Sequence, residues 1–470
     1  MKKTEMKKGL LAPILVVLAA LYPVIFTYAQ NVSEVDFVEV RPLALVYPAI
    51  GLVLWAVLAL ATKAPFRSAL SAVLLVFFLS NYMLFQKVVQ MVFVNLKYWH
   101  ILPIGLFLLG HIIYLIFRFK EESFKDVTAV GALVMVVLLL INLVPAAPTI
   151  LQKLASDNQE SSVSGGTEET NQPNIYWLIF DECASFPVME KHYGYTDTTF
   201  QDHLTERGFY ISHSSRNESG NTNAVLTNCL NLDYVVNSNM PLSEINTYTF
   251  DPPMYRLLSE KQYRILGVGD TLWLGGLESV TGPDAAAGGQ TMEGIGVTEM
   301  ILNNTVIAPF MVFDGTEASR VVLDSFEYLQ DPEHITPNSG TFTLSYLCTP
   351  HQPFLFDENG NNVAPANYNN WDDPRYYLGQ YIFVMKNLCE VVDCILENDK
   401  DCIIVVQSDH GPRSKDGMTF EERTNVLNAV YYRNEDMSQI EGLSSVNTFR
   451  LIFSKLFDMD MKEVPVYYEG

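Results

Sequence analysis

The sequence predicts an α/β domain, a central sheet flanked by helices, carried at the C-terminal end of a polytopic helical membrane domain. Three observations predict it. Composition changes sharply near residue 150: residues 1–150 hold 12 Lys+Arg against 7 Asp+Glu, so the formal total of −23 leaves −28 for residues 151–470. Before that point, five apolar stretches approach the ~20 residues that cross a bilayer. After it, short β-branched or aromatic runs alternate with longer helical patterns.

The apolar stretches are 9–28, 43–62, 68–86, 101–117 and 127–147, so residues 1–150 read as a membrane domain of five transmembrane helices. Gln86, Lys87 and Gln90 interrupt the end of the third stretch, and residues 88–99 suit an amphipathic segment lying at the interface. Lys and Arg of short loops stay on the cytoplasmic side. Lys2, Lys3, Lys7 and Lys8 precede the first stretch, Lys63 and Arg67 follow the second, and Arg118, Lys120 and Lys125 follow the fourth. Five spans then deliver the C-terminal domain outside a cytoplasmic membrane. Tyr28-Ala29-Gln30 is a poor cleavage site, so the first stretch is expected to be a retained anchor.

Residues 151–173 pass through Ser161-Ser162-Val163-Ser164-Gly165-Gly166 and carry too little apolar surface to fold alone, which predicts a tether. The domain then runs over 174–470. Strands are expected at 175–180, 209–214, 263–268, 341–347, 402–408 and 426–432. Helices are expected at 197–207, 223–236, 317–330, 376–397 and 446–458. Residues 270–312 are Gly-rich and aperiodic, an insertion with no assigned role.

Four pieces of this domain carry chemistry. Val405-Val406-Gln407-Ser408-Asp409-His410-Gly411-Pro412-Arg413 is an apolar strand ending in Asp409 and His410, half of a metal site at the sheet edge where ligands collect. Ile175 to Phe180 ends in Asp181 and Glu182, carboxylates suited to a hard cation, although a lone acid there is more often a cap or a solvated turn residue. Ser219-Gly220-Asn221-Thr222-Asn223 precedes an apolar run, placing Thr222 at or beside a helix N-terminus, where the helix dipole favours an alkoxide or a phosphate; the plain alternative is an N-cap. Leu344 to Phe354 ends a strand in a turn holding His351 between two prolines, suited to bonding a transferring oxyanion or protonating a leaving oxygen. All four follow strands of one predicted sheet, so one crevice can hold them.

The order strand-Asp, Gly-x-Thr before a helix, His-x-Pro-Phe, then Ser-Asp-His-Gly resembles the alkaline phosphatase/sulfatase superfamily. With five N-terminal spans and an outward domain, the chain resembles its lipoteichoic acid synthase and phosphoethanolamine transferase branch. Within that branch, Asp409 to Arg413, Val426 to Tyr432 and Val446 to Phe453 look like the sulfatase-like membrane proteins of bacterial cell-surface polysaccharide systems. The resemblance implies a sulfatase-like fold for the outer domain, Asp181, Thr222, Asp409 and His410 as ligands of one catalytic metal, Thr222 as nucleophile and His351 at the substrate phosphoryl group. Three oxygens and one imidazole favour Mn²⁺ or Mg²⁺, with Zn²⁺ as an alternative. Asp181 stands where close family members often have Glu.

What the resemblance implies is transfer of phosphoglycerol or phosphoethanolamine from a membrane phospholipid donor to a glycan or lipid acceptor through a phospho-threonine enzyme, with Arg413 as an electrostatic clamp. Sulfatase or phosphoesterase hydrolysis is the alternative. It is disfavoured because sulfatases mature a Cys or Ser in Cys/Ser-x-Pro/Ala-x-Arg, whereas here Thr222 occupies the first position and Leu226 the Arg position. Cys348-Thr349-Pro350-His351-Gln352 imitates that motif but ends in Gln and lies in the wrong segment. A catalytically inactive glycan-binding relative is a further alternative, which the full set of core residues argues against. The negative charge of the outer domain argues against nucleic acid or an acidic polymer as main partner, unless cations are concentrated around the cleft. The remaining histidines form no ligand motif, so one metal is expected, with His213 structural. The six cysteines all follow residue 150, and their spacing fixes no disulfide.

Overall fold

The computed structural model describes all residues of the chain except 1–10, 33–36, 94–95, 158–171, 250, 272–273, 275, 282–296, 311–314, 365–372, 414, 416 and 470. It divides into two compact units. One comprises the N-terminal helices together with 297–310, and the other the remaining described residues from 172 onward.

The N-terminal unit contains α1 (Leu11–Gln30), α2 (Phe37–Thr62), α3 (Pro65–Ser80), α4 (Tyr82–Val92), α5 (Tyr98–Arg118) and α6 (Ser123–Asp157). Four of these, α1, α2, α5 and α6, contain stretches long and apolar enough to cross a membrane. Leu60, Phe107 and Leu133 stand exposed on them, an arrangement that lipid tails tolerate and water does not. The third expected span, 68–86, is not one straight helix. The chain breaks at Asn81 and α3 meets α4 at a bend of 70°. The Asn81 side chain donates to the Phe77 carbonyl (3.0 Å) beside its own backbone N–H, competing with the helical ladder where the break occurs. Taken together α3 and α4 are long and apolar enough for a broken span or a re-entrant loop, and the end of α4 covers the first residues of the segment expected at 88–99. At the other end of α3, the Glu121 carboxylate accepts from the backbone of Phe66 and pairs with Arg67 (2.9 Å), which caps that helix. Helix α6 continues to Asp157, past residue 151 where the tether was expected to begin; residues 158–171 of that tether lie outside the described residues.

The second unit is built on a seven-stranded sheet with order β2-β7-β6-β1-β5-β3-β4. Its strands are β1 (Ile175–Phe180), β2 (Tyr210–Ile211), β3 (Arg264–Gly269), β4 (Glu278–Ser279), β5 (Thr341–Leu347), β6 (Ile403–Gln407) and β7 (Asn428–Tyr432). β1 runs parallel to both β5 and β6, while β7 is antiparallel to β6 and β2. Every residue of β1 is buried, as a strand covered on both faces requires. Tyr176, Leu178 and Phe180 join one core and Ile175, Trp177 and Ile179 the other. Helices α7 (Phe186–Tyr193), α8 (Thr199–Glu206), α9 (Thr222–Asn231), α10 (Pro253–Glu260), α12 (Thr316–Leu329), α13 (Pro374–Asn398) and α14 (Ser445–Phe457) belong to this unit; α11 (Val297–Leu302) belongs to the first.

The strand expected at 209–214 contracts to two residues. Beyond it the chain keeps irregular company with β7 and its approach, through Ser212 N–H to the Asn428 carbonyl (2.9 Å) and Asn217 N–H to the Thr424 carbonyl (3.0 Å). That path carries the chain from the sheet edge to Thr222. Helices α7 and α10 escape the sequence reading because each is a single eight-residue run with Pro in its first turn, too short for a helical period to emerge.

Candidate active site

Register places the chemistry. Phe180 pairs with Leu347 of β5, and Ile179 with Gln407 of β6, so the residues following β1, β5 and β6 emerge side by side at the carboxyl edge of the sheet. These are Asp181 and Glu182, Cys348 to His351, and Ser408 to His410. The N-terminus of α9 brings Thr222 into the same place.

Asp181 and Asp409 are each held by one carboxylate oxygen and leave the other open, whereas His410 is engaged at both ring nitrogens, Nδ1 by the Gly411 carbonyl and Nε2 by Arg413. Asp181 Oδ2 accepts from the Tyr346 hydroxyl (2.7 Å), while its Oδ1 is buried without a hydrogen-bond partner. Asp409 Oδ1 accepts from the backbone N–H groups of Glu182 (3.2 Å) and His410 (2.8 Å), and its Oδ2 is likewise open. His410 Nδ1 faces the Gly411 carbonyl (2.9 Å), which puts the ring proton there and leaves the lone pair on Nε2. That Nε2 lies 3.7 Å from Asp181 Oδ1, 3.5 Å from Asp409 Oδ2 and 3.3 Å from the Thr222 hydroxyl.

These separations test whether a metal fits. Four ligands about 2.1 Å from one ion at tetrahedral angles stand about 3.4 Å apart, close to the three distances found. Two open carboxylate oxygens buried together are costly without a cation. Asp181, Asp409 and His410 are thus able to hold a metal ion, and Thr222 Oγ1 lies beside them.

Thr222 is the first residue of α9 and is buried. The capping duty belongs to Asn221, whose side chain accepts from the Ala224 N–H (3.0 Å), so the Thr222 hydroxyl is not consumed as a cap. Asn217 locks this loop to the end of β6, donating to the carbonyls of Ser408 (3.1 Å) and Asp409 (2.8 Å) and accepting from Ser445 N–H (2.9 Å).

Glu182 has φ +60°, a left-handed conformation that costs a non-glycine residue about 1–3 kcal/mol. It is held by Asp409 on its N–H and by the Tyr377 hydroxyl donating to its carbonyl (2.6 Å). The resulting turn aims the buried Glu182 carboxylate at His351 Nε2 (3.7 Å) and the Arg413 guanidinium (3.6 Å). His351 is fixed through its carbonyl, which accepts from Gln380 (2.9 Å), and its Nδ1 bonds the Gln352 carbonyl. Arg413 reaches back to the Gly220 carbonyl (3.1 Å) and to His410 Nε2 (2.9 Å).

Electrostatics follow from burial. Burial first, and then the charge of Asp409, push the Asp181 carboxyl well above its usual range. Burial acts the same way on Asp409, but nearby His410, the Thr222 hydroxyl and two N–H groups outweigh it and hold the carboxyl low. Burial also raises Glu182. For His351 burial opposes the charged ring, yet Asp181 and Glu182 prevail and raise its pKa, favouring the imidazolium.

All six predicted site residues therefore gather at one edge. Cys348, which the sequence places in a mere imitation of a sulfatase motif, also lies in the cluster, 3.7 Å from Asp181 Oδ2 and 3.9 Å from His351 Nδ1. Asp181, Cys348 and His351 form a second group with metal-ligand proximity. Burial and the surrounding carboxylates push the Cys348 thiol far above its usual range, so it remains protonated unless a cation intervenes. Sequence reasoning missed Tyr346, Tyr377, Gln380 and Asn217. The first three lie within apolar strand or helix patterns that read as core, and nothing local marks Asn217. His213 stands apart from the cluster, in a cleft lined by Glu190, Tyr195 and Asp197. All six cysteines are free thiols.

No family model matches the chain, and no curated protein matches it. Among solved structures, it is similar to the zinc complex of the C-terminal periplasmic domain of EptC from Escherichia coli, at 14% identity over 62% of this chain and 84% of that one, with a TM-score of 0.40. It is also similar to the lipoteichoic acid synthase LtaP from Listeria monocytogenes, at 12% identity over 67% and 80%, with a TM-score of 0.40. A protein in the alkaline phosphatase superfamily from Vibrio parahaemolyticus aligns at 12% identity over 62% and 68%, with a TM-score of 0.39.

Proposed function

We propose that the chain is a membrane-bound, metal-dependent transferase that moves a phosphoglycerol or phosphoethanolamine group from a phospholipid to a glycan or lipid hydroxyl. One observation carries this reading. A buried threonine hydroxyl, free of capping duty, sits 3.3 Å from a histidine nitrogen that is also within 3.7 Å of two open carboxylate oxygens. Asp181, Asp409, His410 and Thr222 would hold one divalent cation. The oxygen-rich donor set favours Mn²⁺ or Mg²⁺, and the near-tetrahedral spacing favours Zn²⁺. When bound, such an ion lowers the pKa of the hydroxyl and offsets negative charge on the phosphoryl group.

Thr222, its hydroxyl proton released to solvent, then attacks phosphorus in line as the alkoxide. A bond forms between its oxygen and phosphorus, the bond to the diacylglycerol oxygen breaks, and that oxygen takes a proton from the His351 imidazolium. Arg413 gives up His410 Nε2 and turns its guanidinium to the transferring group. In the second half, an acceptor hydroxyl attacks the phospho-threonine, passes its proton to neutral His351 and frees Thr222. The site lies in a domain on the outer side of the cytoplasmic membrane, anchored by the N-terminal helices.

The test is mass spectrometry of the tryptic fragment Asn217–Arg256 after incubating the protein with bacterial membrane lipids and Mn²⁺. An adduct on Thr222 is expected, and its mass identifies the head group. Metal-loaded protein that releases head group while Thr222 stays unmodified at every time point, or a Thr222→Ala variant with full activity, would sink the assignment.

A further inference from the structure

The segment Val297–Phe310 has been given no role, although it forms part of the N-terminal unit despite lying between β4 and α12 in sequence. Val297 and Ile301 of α11 are buried against Val24 and Tyr28 of α1 and Val40 and Leu43 of α2. Those residues mark the helix ends opposite the Lys63, Arg67, Arg118 and Lys120 end.

The next residues repair the broken helix. In a continuous helix the Met83 N–H would donate to the Leu79 carbonyl four residues earlier. The 70° bend separates that pair. Instead the Leu79 carbonyl accepts from Val306 N–H (2.8 Å), and Met83 N–H donates to the Asn304 carbonyl (3.1 Å). The Tyr98 hydroxyl donates to the Val306 carbonyl (2.6 Å), joining the start of α5 to the same strip.

Every backbone N–H from Asn304 to Phe310 has an acceptor within this unit, Pro309 having none to offer. The polar side chains fold back too: Asn304 donates to the Met300 carbonyl (2.9 Å) and Thr305 to the Leu302 carbonyl (2.7 Å). Internal pairing of these N–H groups is what backbone needs where water is scarce. Thr298 and Asn304 are exposed on the strip, and from residue 305 onward its exposed residues are the apolar Ile307, Pro309 and Phe310. Phe310 is 64% exposed with its ring edge-on to Trp99, itself 63% exposed, and Ile307 is also exposed. Met91, Val92 and Phe93 at the end of α4 extend the exposed apolar surface of the unit. Lys87 and Lys97, on and just beyond α4, supply cations of the kind that meet phosphate head groups.

We infer that Val297–Phe310 is a membrane-interface anchor: it closes the α3–α4 break and places Ile307 and Phe310 among the acyl chains just below the head groups of the leaflet opposite the basic loops. The occupant of this surface is phospholipid. The surface is continuous with helices that cross the bilayer, and an aromatic pair at such a boundary fits the belt where rings straddle head groups and tails. The anchor stands whether or not the transfer reaction is correct, because it uses none of the site residues.

The experiment uses the unaltered full-length chain in vesicles of phosphatidylethanolamine and phosphatidylglycerol doped with a phospholipid bearing a diazirine near the top of one acyl chain. After irradiation, lipid adducts are mapped by peptide mass spectrometry. Adducts on Ile307 and Phe310 are expected at yields within about threefold of those on Phe107, an exposed residue of α5, and about tenfold above those on Leu323, an exposed residue of α12. Labelling at 307 and 310 no greater than at Leu323, while Phe107 is labelled, would overturn the anchor. Absence of label at Phe107 as well would overturn it together with the membrane reading. As a second readout, Ile307→Asn with Phe310→Asn should lose most adducts in this segment while Phe107 keeps its own; persistence at the parental level would equally count against it.

Discussion

The carboxyl edge of the sheet holds two clusters that share Asp181 and differ in what their donor atoms are doing. On the β6 side, Asp181 Oδ1 and Asp409 Oδ2 are buried and open, and each parent carboxylate is anchored through its other oxygen. On the β5 side, Cys348 Sγ already lies against Asp181 Oδ2 and His351 Nδ1 already bonds a carbonyl. Proximity alone would rank the two groups equally as metal sites. The carboxylates separate them: both histidines bond a carbonyl through Nδ1 and His410 Nε2 also meets Arg413, but only the first group has two buried carboxylate oxygens without a partner, as a cation site requires.

The sharpest way to break that comparison is to remove the proposed nucleophile and the proposed ligands. Thr222→Ala should lower transfer by at least about a thousandfold while the protein remains folded, as judged by circular dichroism. His410→Ala and Asp409→Ala should each drop bound metal well below one equivalent on elemental analysis after dialysis. Cys348→Ser should leave that equivalent in place, and loss of metal from it would merge the two clusters into one site. Tyr346→Phe is subtler, since it removes a bond that orients Asp181 and leaves the carboxylate itself in place. A fall in metal affinity of about 10–100-fold, read by competition with a chelating dye, is expected, whereas Gln380→Leu should slow transfer and spare affinity because Gln380 fixes His351.

Much of this site was legible because its donors sit where strands stop. Asp181, Asp409 and His410 follow apolar runs that could only be buried strands, and the order of the pieces carried the resemblance. The supporting ring was not legible. Tyr346 is one of several residues alternating along β5, and only the register with β1 turns its hydroxyl toward Asp181. The bend at Asn81 was invisible for a related reason: apolar content describes a span's length, whereas the break depends on one side chain competing for a carbonyl. The strip 297–310 was unreadable because its partners lie more than 200 residues earlier, as with Tyr98 and Val306.

The smallest expected effect lies beside the site. Glu218 is buried with Oε1 accepting from Asn228 (2.8 Å) and Oε2 open, and burial pushes its pKa up to about 7. A carboxyl raised on folding contributes nothing unfavourable below its unfolded pKa, and stability is lost as pH rises from there through the folded value. Above that window the loss is on the order of 3 kcal/mol. Glu218→Gln should therefore match the parent near pH 4 and exceed it in thermal stability by pH 8. An equal Tm difference at both pH values would show that the carboxyl is already compensated when folded.

The helix break mended by Val306 also dictates an order of assembly. When the ribosome has made α1 to α6, the Leu79 carbonyl and the Met83 amide have no protein partners, because the residues that serve them have yet to be synthesised. The bundle is completed only after the chain has been made as far as residue 306 and has folded back. Translation that stops before that point leaves the helical unit with two backbone groups unpartnered at the α3–α4 break.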